Sequence, residues 1–221
     1  MSAIAIVGAG SGLGLSIAKV FGRHGFDVAL IARNEEKLGG FTASLEADGV
    51  KAAGFAADAA DQTALASAMD RAAGRFGGID VLEFSVPPVG FVAALDVTVE
   101  NLRPQFECIC YGAVTATRAV LPAMLANGTG TLLFTTGASS VTPRPVFGSA
   151  GAAGAALRNW ALNLNSALAG KGVYAGHVAI GAWIAGTPGP ADAPRLEPDD
   201  IAGVYRDLHT ARDRAEYLVT A

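Results

Sequence analysis

The chain has 221 residues, enough for one domain with a core on the scale of a nucleotide-binding sheet. Hydrophobic residues make up 51% of it, charged residues only 16%, and 28 positions are glycine, which excludes a disordered or solvating chain and suits a sheet covered on both faces by helices. The net charge of −4, with 16 scattered basic residues, offers no attraction to nucleic acid or to an anionic membrane surface.

The N-terminus, MSAIAIVGAGSG, has no basic region of the signal-peptide kind and runs directly into structure. Short apolar runs predict strands at Ala3–Val7, Asp27–Ile31, Val50–Ala57, Val81–Ser85, Gly130–Thr135 and Val173–Ile180. Helical periodicity lies between them. Leu13, Ile17, Val20 and Phe21 share one face of the first helix, and Leu65, Met69, Ala72 and Phe76 one face of the third, with Asp61 as its N-cap. Long helical segments over about 99–126 and 149–169 follow the fourth and fifth strands, and a polar helix over 197–217 closes the chain. The Pro/Gly-rich 186–194 reads as a mobile loop. This alternation predicts an α/β fold, an open parallel sheet with right-handed crossovers, in one domain over 1–221. Cys108 and Cys110 sit two apart in an apolar helical pattern, a spacing that fits buried thiols of a reducing cytoplasm better than a redox pair, and no metal site is expected. The apolar stretch 173–186 is interrupted by His177 and by glycines, so it reads as a buried strand and loop, not a membrane span.

The first strand–helix turn carries Gly8, Gly10, Gly12 and Gly14. Position 13 is Leu, so a strict GxGxxG fails, while GxxxGxG through Gly8, Gly12 and Gly14 fits. Glycine there lets the backbone approach a pyrophosphate, which the helix N-terminus favours. Ser11, Leu13 and the three glycines are therefore candidate cofactor contacts. Where an acidic residue would hold a ribose 2′-OH, the second strand ends in Arg33 and Asn34, which suit a 2′-phosphate and so NADP(H) over NAD(H). Arg33 also fits a plain surface charge, and Asn34 a helix cap. Asp58 and Ala59 are placed for the adenine edge, though Asp58 is equally a turn residue.

GxxxGxG at 8–14, ARN at 32–34, Asp58, GGIDVL at 77–82, RAVLPAML at 118–125, GTLLFTT at 130–136 and LAGKGVYAGHVAIG at 168–181 stand in an order that resembles the short-chain dehydrogenase/reductase family. The resemblance implies a single Rossmann-like, doubly wound parallel sheet of about seven strands. It also implies a homodimer or homotetramer formed through the helices about 99–126 and 149–169. It implies hydride exchange between a nicotinamide and a small-molecule carbonyl or alcohol, with a tyrosine as acid, a lysine four residues later, a serine and an asparagine. In that family's pattern Phe147 stands at the tyrosine, Gly151 at the lysine and Ile109 at the asparagine, while Ser85, Val86 and Pro87 fall in the turn after the fourth strand. Ser139, Ser140 and Thr136 are all eligible as the serine; Ser139 is the choice, with a turn hydroxyl as the bland reading. Gly181, Ile184 and Thr187 match the segment beside the nicotinamide amide, and Trp183 is either a substrate-stacking or a core residue.

Losing a general acid costs typically ~10²–10⁴-fold. The expected function is thus an NADP(H)-binding oxidoreductase acting on a carbonyl, imine or enone without the usual Tyr–Lys relay, with Tyr111, Tyr174, His177 or Tyr205 as stand-in donors. The alternatives are a catalytically inactive cofactor-binding sensor and a non-redox enzyme on the same scaffold.

Overall fold

Along β1 (Ala3–Val7), Ala3, Ala5 and Val7 enter one apolar layer and Ile4 and Ile6 the other, because successive strand residues face opposite sides. The same division runs through the sheet, so both faces must be covered. A computed structural model describes residues 2–187 and 189–220. In it, β1 joins β2 (Asp27–Ala32), β3 (Ala52–Ala56), β4 (Val81–Phe84), β5 (Gly130–Gly137), β6 (Val173–Ile180) and β9 (Glu216–Val219). The order is β3-β2-β1-β4-β5-β6-β9, all parallel.

Helices α1 (Leu13–Arg23), α2 (Glu35–Ala47) and α7 (Pro198–Ala211) bury Ile17, Leu38, Leu45, Ile201 and Tyr205 on one face of the sheet. The other face takes α3 (Gln62–Phe76), α4 (Val99–Gln105), α5 (Gly112–Asn127) and α6 (Gly148–Ala167). Asp61 caps α3, its carboxylate accepting from the Ala64 N–H at 3.0 Å. The run Val99–Asn127 has the length and mean hydropathy (1.4) of a membrane span. Its apolar residues Cys108, Ile109, Ala113, Ala116, Val120 and Met124 pack into the core. Burial raises the Cys108 thiol, and raises that of Cys110 to about 11, which makes both weak nucleophiles.

Four elements differ from expectation. The helix predicted over about 99–126 contains a π-helical turn, Phe106–Tyr111, just after Pro104, which has no N–H to give the helical ladder. The closing helix ends at Ala211, where Arg212 turns left-handed (φ 50°) and donates its N–H to the Leu208 carbonyl. Glu216 and Tyr217, predicted as the end of that helix, open the seventh strand of the sheet, Glu216–Val219, which lies beside His177–Ile180 of β6. Within 186–194, Pro188 lies outside the described residues. The described residues on either side are bound together: β7 (Trp183–Ile184) pairs with β8 (Arg195–Leu196), and Arg195 donates to the carbonyls of Thr187 (2.9 Å), Gly189 (3.3 Å) and Pro190 (3.3 Å).

Candidate active site

Strand order reverses between β1 and β4, and in open α/β sheets the crevice at such a switch point, beyond the strands' carboxyl ends, takes the ligand. A cleft of about 760 Å³ opens there. Gly8 holds the turn after β1 at φ +94°, and a Cβ on it would lie 2.6 Å from the Ser85 carbonyl oxygen, so only glycine lets the turn press against the end of β4. The Leu15 N–H of α1 is taken by the Gly10 carbonyl at 3.0 Å, and the N–H groups that precede it at the helix start have no intrahelical partner. The cap residue Gly12 offers no side-chain bond, and no carboxylate stands in the first turn to compete for them. Such donors at the mouth of a cleft fit a phosphate.

Of the residues anticipated at a cofactor, Gly8, Ser11, Gly12, Leu13 and Gly14 line this cleft from β1 and α1. Ser85, Val86 and Pro87 line it from the end of β4. Thr136, Ile184 and Thr187 do so from the other side, with Ile109 projecting from the π-helical turn. Arg33 is exposed at the end of β2, outside the enclosed part. Asn34 caps α2, its Oδ1 accepting from the Lys37 N–H at 2.8 Å. Asp58 makes a local turn bond, accepting from the Ala60 N–H at 2.9 Å, and Ala59 is buried against Gly112. Ile180, not Gly181, faces the cleft; the Gly181 N–H is donated to Val219 in the sheet.

The register along α6 differs from the one anticipated. Ala150 and Gly154 line the cleft, where Phe147 and Gly151 were expected. The Phe147 ring stacks edge-on against Phe91 (5.0 Å between centroids), which in turn meets Trp183 (5.6 Å), so the three form an aromatic row at the mouth. The missing Cβ of Gly151 would face Ser139, 3.5 Å from its carbonyl oxygen, and that of Gly154 would face Ser140 and Thr136. In either register the positions are apolar: α6 contains no tyrosine and no lysine. Ser139 lines the cleft, whereas Ser140 is buried behind it.

Two buried polar chains converge on β5, and sequence reasoning found neither. On the α7 side, Glu83 of β4 is fully buried with a hydroxyl 2.9 Å from each carboxyl oxygen, those of Ser85 and Thr135, and Thr135 Oγ1 lies 2.7 Å from the Tyr205 hydroxyl. Burial pushes the Glu83 carboxyl up to about 8 against the pull of those two hydrogen bonds, so at neutral pH it is mostly an uncharged acid. On the α6 side, Thr136 Oγ1 lies 2.8 Å from His177 Nε2 and 2.7 Å from Ser140 Oγ. His177 Nδ1 sits 2.9 Å from Glu216, whose other oxygen accepts from Arg158 at 2.8 Å. Arg158 holds Glu216 below the usual carboxylate range, and burial lowers His177 despite Glu216. Of the four possible stand-in donors, Tyr111 is exposed on the helix and Tyr174 donates to the Arg214 carbonyl at 2.6 Å. His177 and Tyr205 reach the cleft, each through a threonine.

Fold and glycine turn together define a nucleotide-binding α/β protein. The family model for short chain dehydrogenase matches residues 2–189, and the chain belongs to that family. It is 29% identical over 200 residues to an uncharacterized oxidoreductase of Staphylococcus aureus (strain MRSA252), covering 89% of this chain and 86% of the relative. A solved short-chain dehydrogenase from Rhodopseudomonas palustris superposes with a TM-score of 0.86 at 26% identity, covering 100% of this chain and 98% of the other. L-sorbose reductase from Gluconobacter frateurii, solved with NADPH and L-sorbose, gives 0.88 over 99% and 95%, at 20% identity.

Proposed function

We propose that the protein is an NADP(H)-dependent oxidoreductase acting on a small carbonyl, imine or enone without a tyrosine–lysine pair. The observation that carries this reading is the Gly8–Gly14 turn opening into a 760 Å³ cleft to which α6 contributes only Ala150 and Gly154. The turn and the first N–H groups of α1 would hold the pyrophosphate. Arg33, an exposed guanidinium just after β2, favours a 2′-phosphate, in keeping with the NADPH bound to the sorbose reductase that shares the fold. When bound, the cofactor supplies a hydride. The chain's own residues do the rest: Val86, Ile109, Ala150 and Ile184 exclude water, and Thr136 and Ser139 offer hydroxyls to a substrate oxygen.

Thermal unfolding with NADPH and with NADH tests the reading. A ligand at about 100 times its Kd stabilises by ~2.7 kcal/mol, a shift of roughly 5–10 °C for a domain of this size. The expected outcome is a larger shift with NADPH than with NADH, and loss of that preference in Arg33→Ala. Equal indifference to both nucleotides would remove the proposal. A cofactor-binding protein without turnover is the second reading, favoured by the absence of any tyrosine or lysine in α6. Nucleotide binding with no substrate reduced would select it.

A further inference from the structure

If α6 supplies no acid, a proton must come from elsewhere; among the described residues two arrangements end in the cleft, through Thr135 and through Thr136, and only the second carries an imidazole that can cycle a proton near neutral pH. Its hydrogen-bond directions follow by elimination. Glu216, ionised beside Arg158, can only accept, so His177 Nδ1 carries the proton between them. A neutral His177 then has Nε2 as an acceptor, and Thr136 donates to it at 2.8 Å rather than to the Gly137 carbonyl at 3.2 Å. Ser140 donates to Thr136 in turn. The result is a hydroxyl, an imidazole and a carboxylate in line, the general form of an activated hydroxyl. The imidazole has no solvent exposure, and Thr136 itself lines the cleft.

We infer that the Thr136 hydroxyl is the group that exchanges a proton with the substrate oxygen, and that His177 and Glu216 position and recharge it. This rests on the oxidoreductase reading above. In the direction of reduction, a hydride from the reduced nicotinamide reaches the carbonyl carbon while the C=O π pair moves to oxygen. That oxygen takes the Thr136 proton, Thr136 recovers one from Nε2–H of the imidazolium, and once the alcohol has left, water in the cleft returns a proton through Thr136 to the buried Nε2. In oxidation the alcohol gives its proton to Thr136 as the Thr136 proton passes to neutral Nε2, the O–H pair closes the C=O bond, and the hydride leaves the carbinol carbon for the oxidised nicotinamide. The charged groups facing His177 are Glu216 on β9 and Arg158 on α6. Because burial holds His177 below its ordinary value, the neutral, proton-accepting form prevails at pH 7, and the relay is poised for alcohol oxidation.

The test begins without turnover, by nitrogen-15 NMR of the three histidines in the cofactor-free protein. The expected result is a neutral His177 with its proton on Nδ1, titrating below its ordinary range, and lowered further in Glu216→Gln. An Nε2–H tautomer would overturn the relay. NADPH oxidation with 2,3-butanedione as the probe then reads the chemistry. Its rate should fall about tenfold per pH unit above the His177 midpoint. Thr136→Val should cost about 10²-fold or more in kcat with NADPH binding kept, and Thr136→Ser should recover most of that loss. A valine variant as fast as the parent, or a parent that binds NADPH yet leaves butanedione unreduced, would overturn the inference. A parent that gives no NADPH thermal shift would instead remove the oxidoreductase reading itself.

Discussion

Thr135 and Thr136 are neighbours in the chain, yet their hydroxyls enter different buried networks, because consecutive strand residues point to opposite faces of the sheet. One reaches Glu83 and Tyr205 under α7, the other His177 and Glu216 under α6. The two networks respond to pH in opposite senses. Glu83 keeps its proton in the folded chain up to about 8, whereas an unfolded carboxyl loses it near 4.5. The unfolded state therefore binds fewer protons in that interval, and stability falls as pH rises from 4.5 to 8, by up to about 5 kcal/mol. Glu83→Gln keeps a neutral hydrogen-bonding group in place, so denaturant unfolding should show it more stable than the parent at pH 8, with a flatter profile. Parallel profiles for the two proteins would contradict this. Burial lowers His177, and lowers His209 to about 4, so the acid side behaves the other way: stability is lost as pH falls below 6.5. Residue pattern alone exposed the glycine turn, since closely spaced glycines between a strand and a helix have few other uses. It could not fix the register of α6, because Phe147, Ala150, Gly151 and Gly154 are spaced i, i+3, i+4, i+7 and share one stripe. The pairing of His177 with Thr136 joins positions 41 apart and left no local signal.

At the level of elements, β1, β2 and β6 were legible almost to the residue, since buried parallel strands read as unbroken apolar runs. β9 was not. Its sequence EYLV follows a polar helical pattern, and only pairing with β6 makes it a strand. The π-helical turn was equally hidden, although it is what aims Ile109 into the cleft and Cys108 into the core. The β7–β8 ribbon depends on Arg195, whose guanidinium gathers carbonyls from the segment that carries Ile184 and Thr187. Removing that clamp leaves the segment held by its few backbone bonds. Arg195→Ala should speed amide exchange at Ala185 and Thr187 while leaving β5 and β6 protected. Unchanged exchange at those two amides would show that the backbone pairing alone holds the ribbon.

For the whole molecule, the sheet order places every feature at one edge: the glycine turn after β1, Ser85 after β4, the two threonines at the end of β5 and Ile180 ending β6 all meet in the same cleft. The aromatic row of Phe147, Phe91 and Trp183 guards its mouth. In the proposed mechanism the scaffold keeps the nucleotide cradle while α6 lends the cleft only Ala150 and Gly154, proton exchange passing to β5 and β6. A crystal structure grown with NADPH tests this most directly. The expected result is the pyrophosphate on the Gly8–Gly14 turn and the nicotinamide ribose beside Ala150 and Gly154, with Thr136 Oγ1 within ~3–3.5 Å of the space a substrate oxygen would take. A nicotinamide seated against Phe147 and Gly151, or no nucleotide in the cleft, would contradict it.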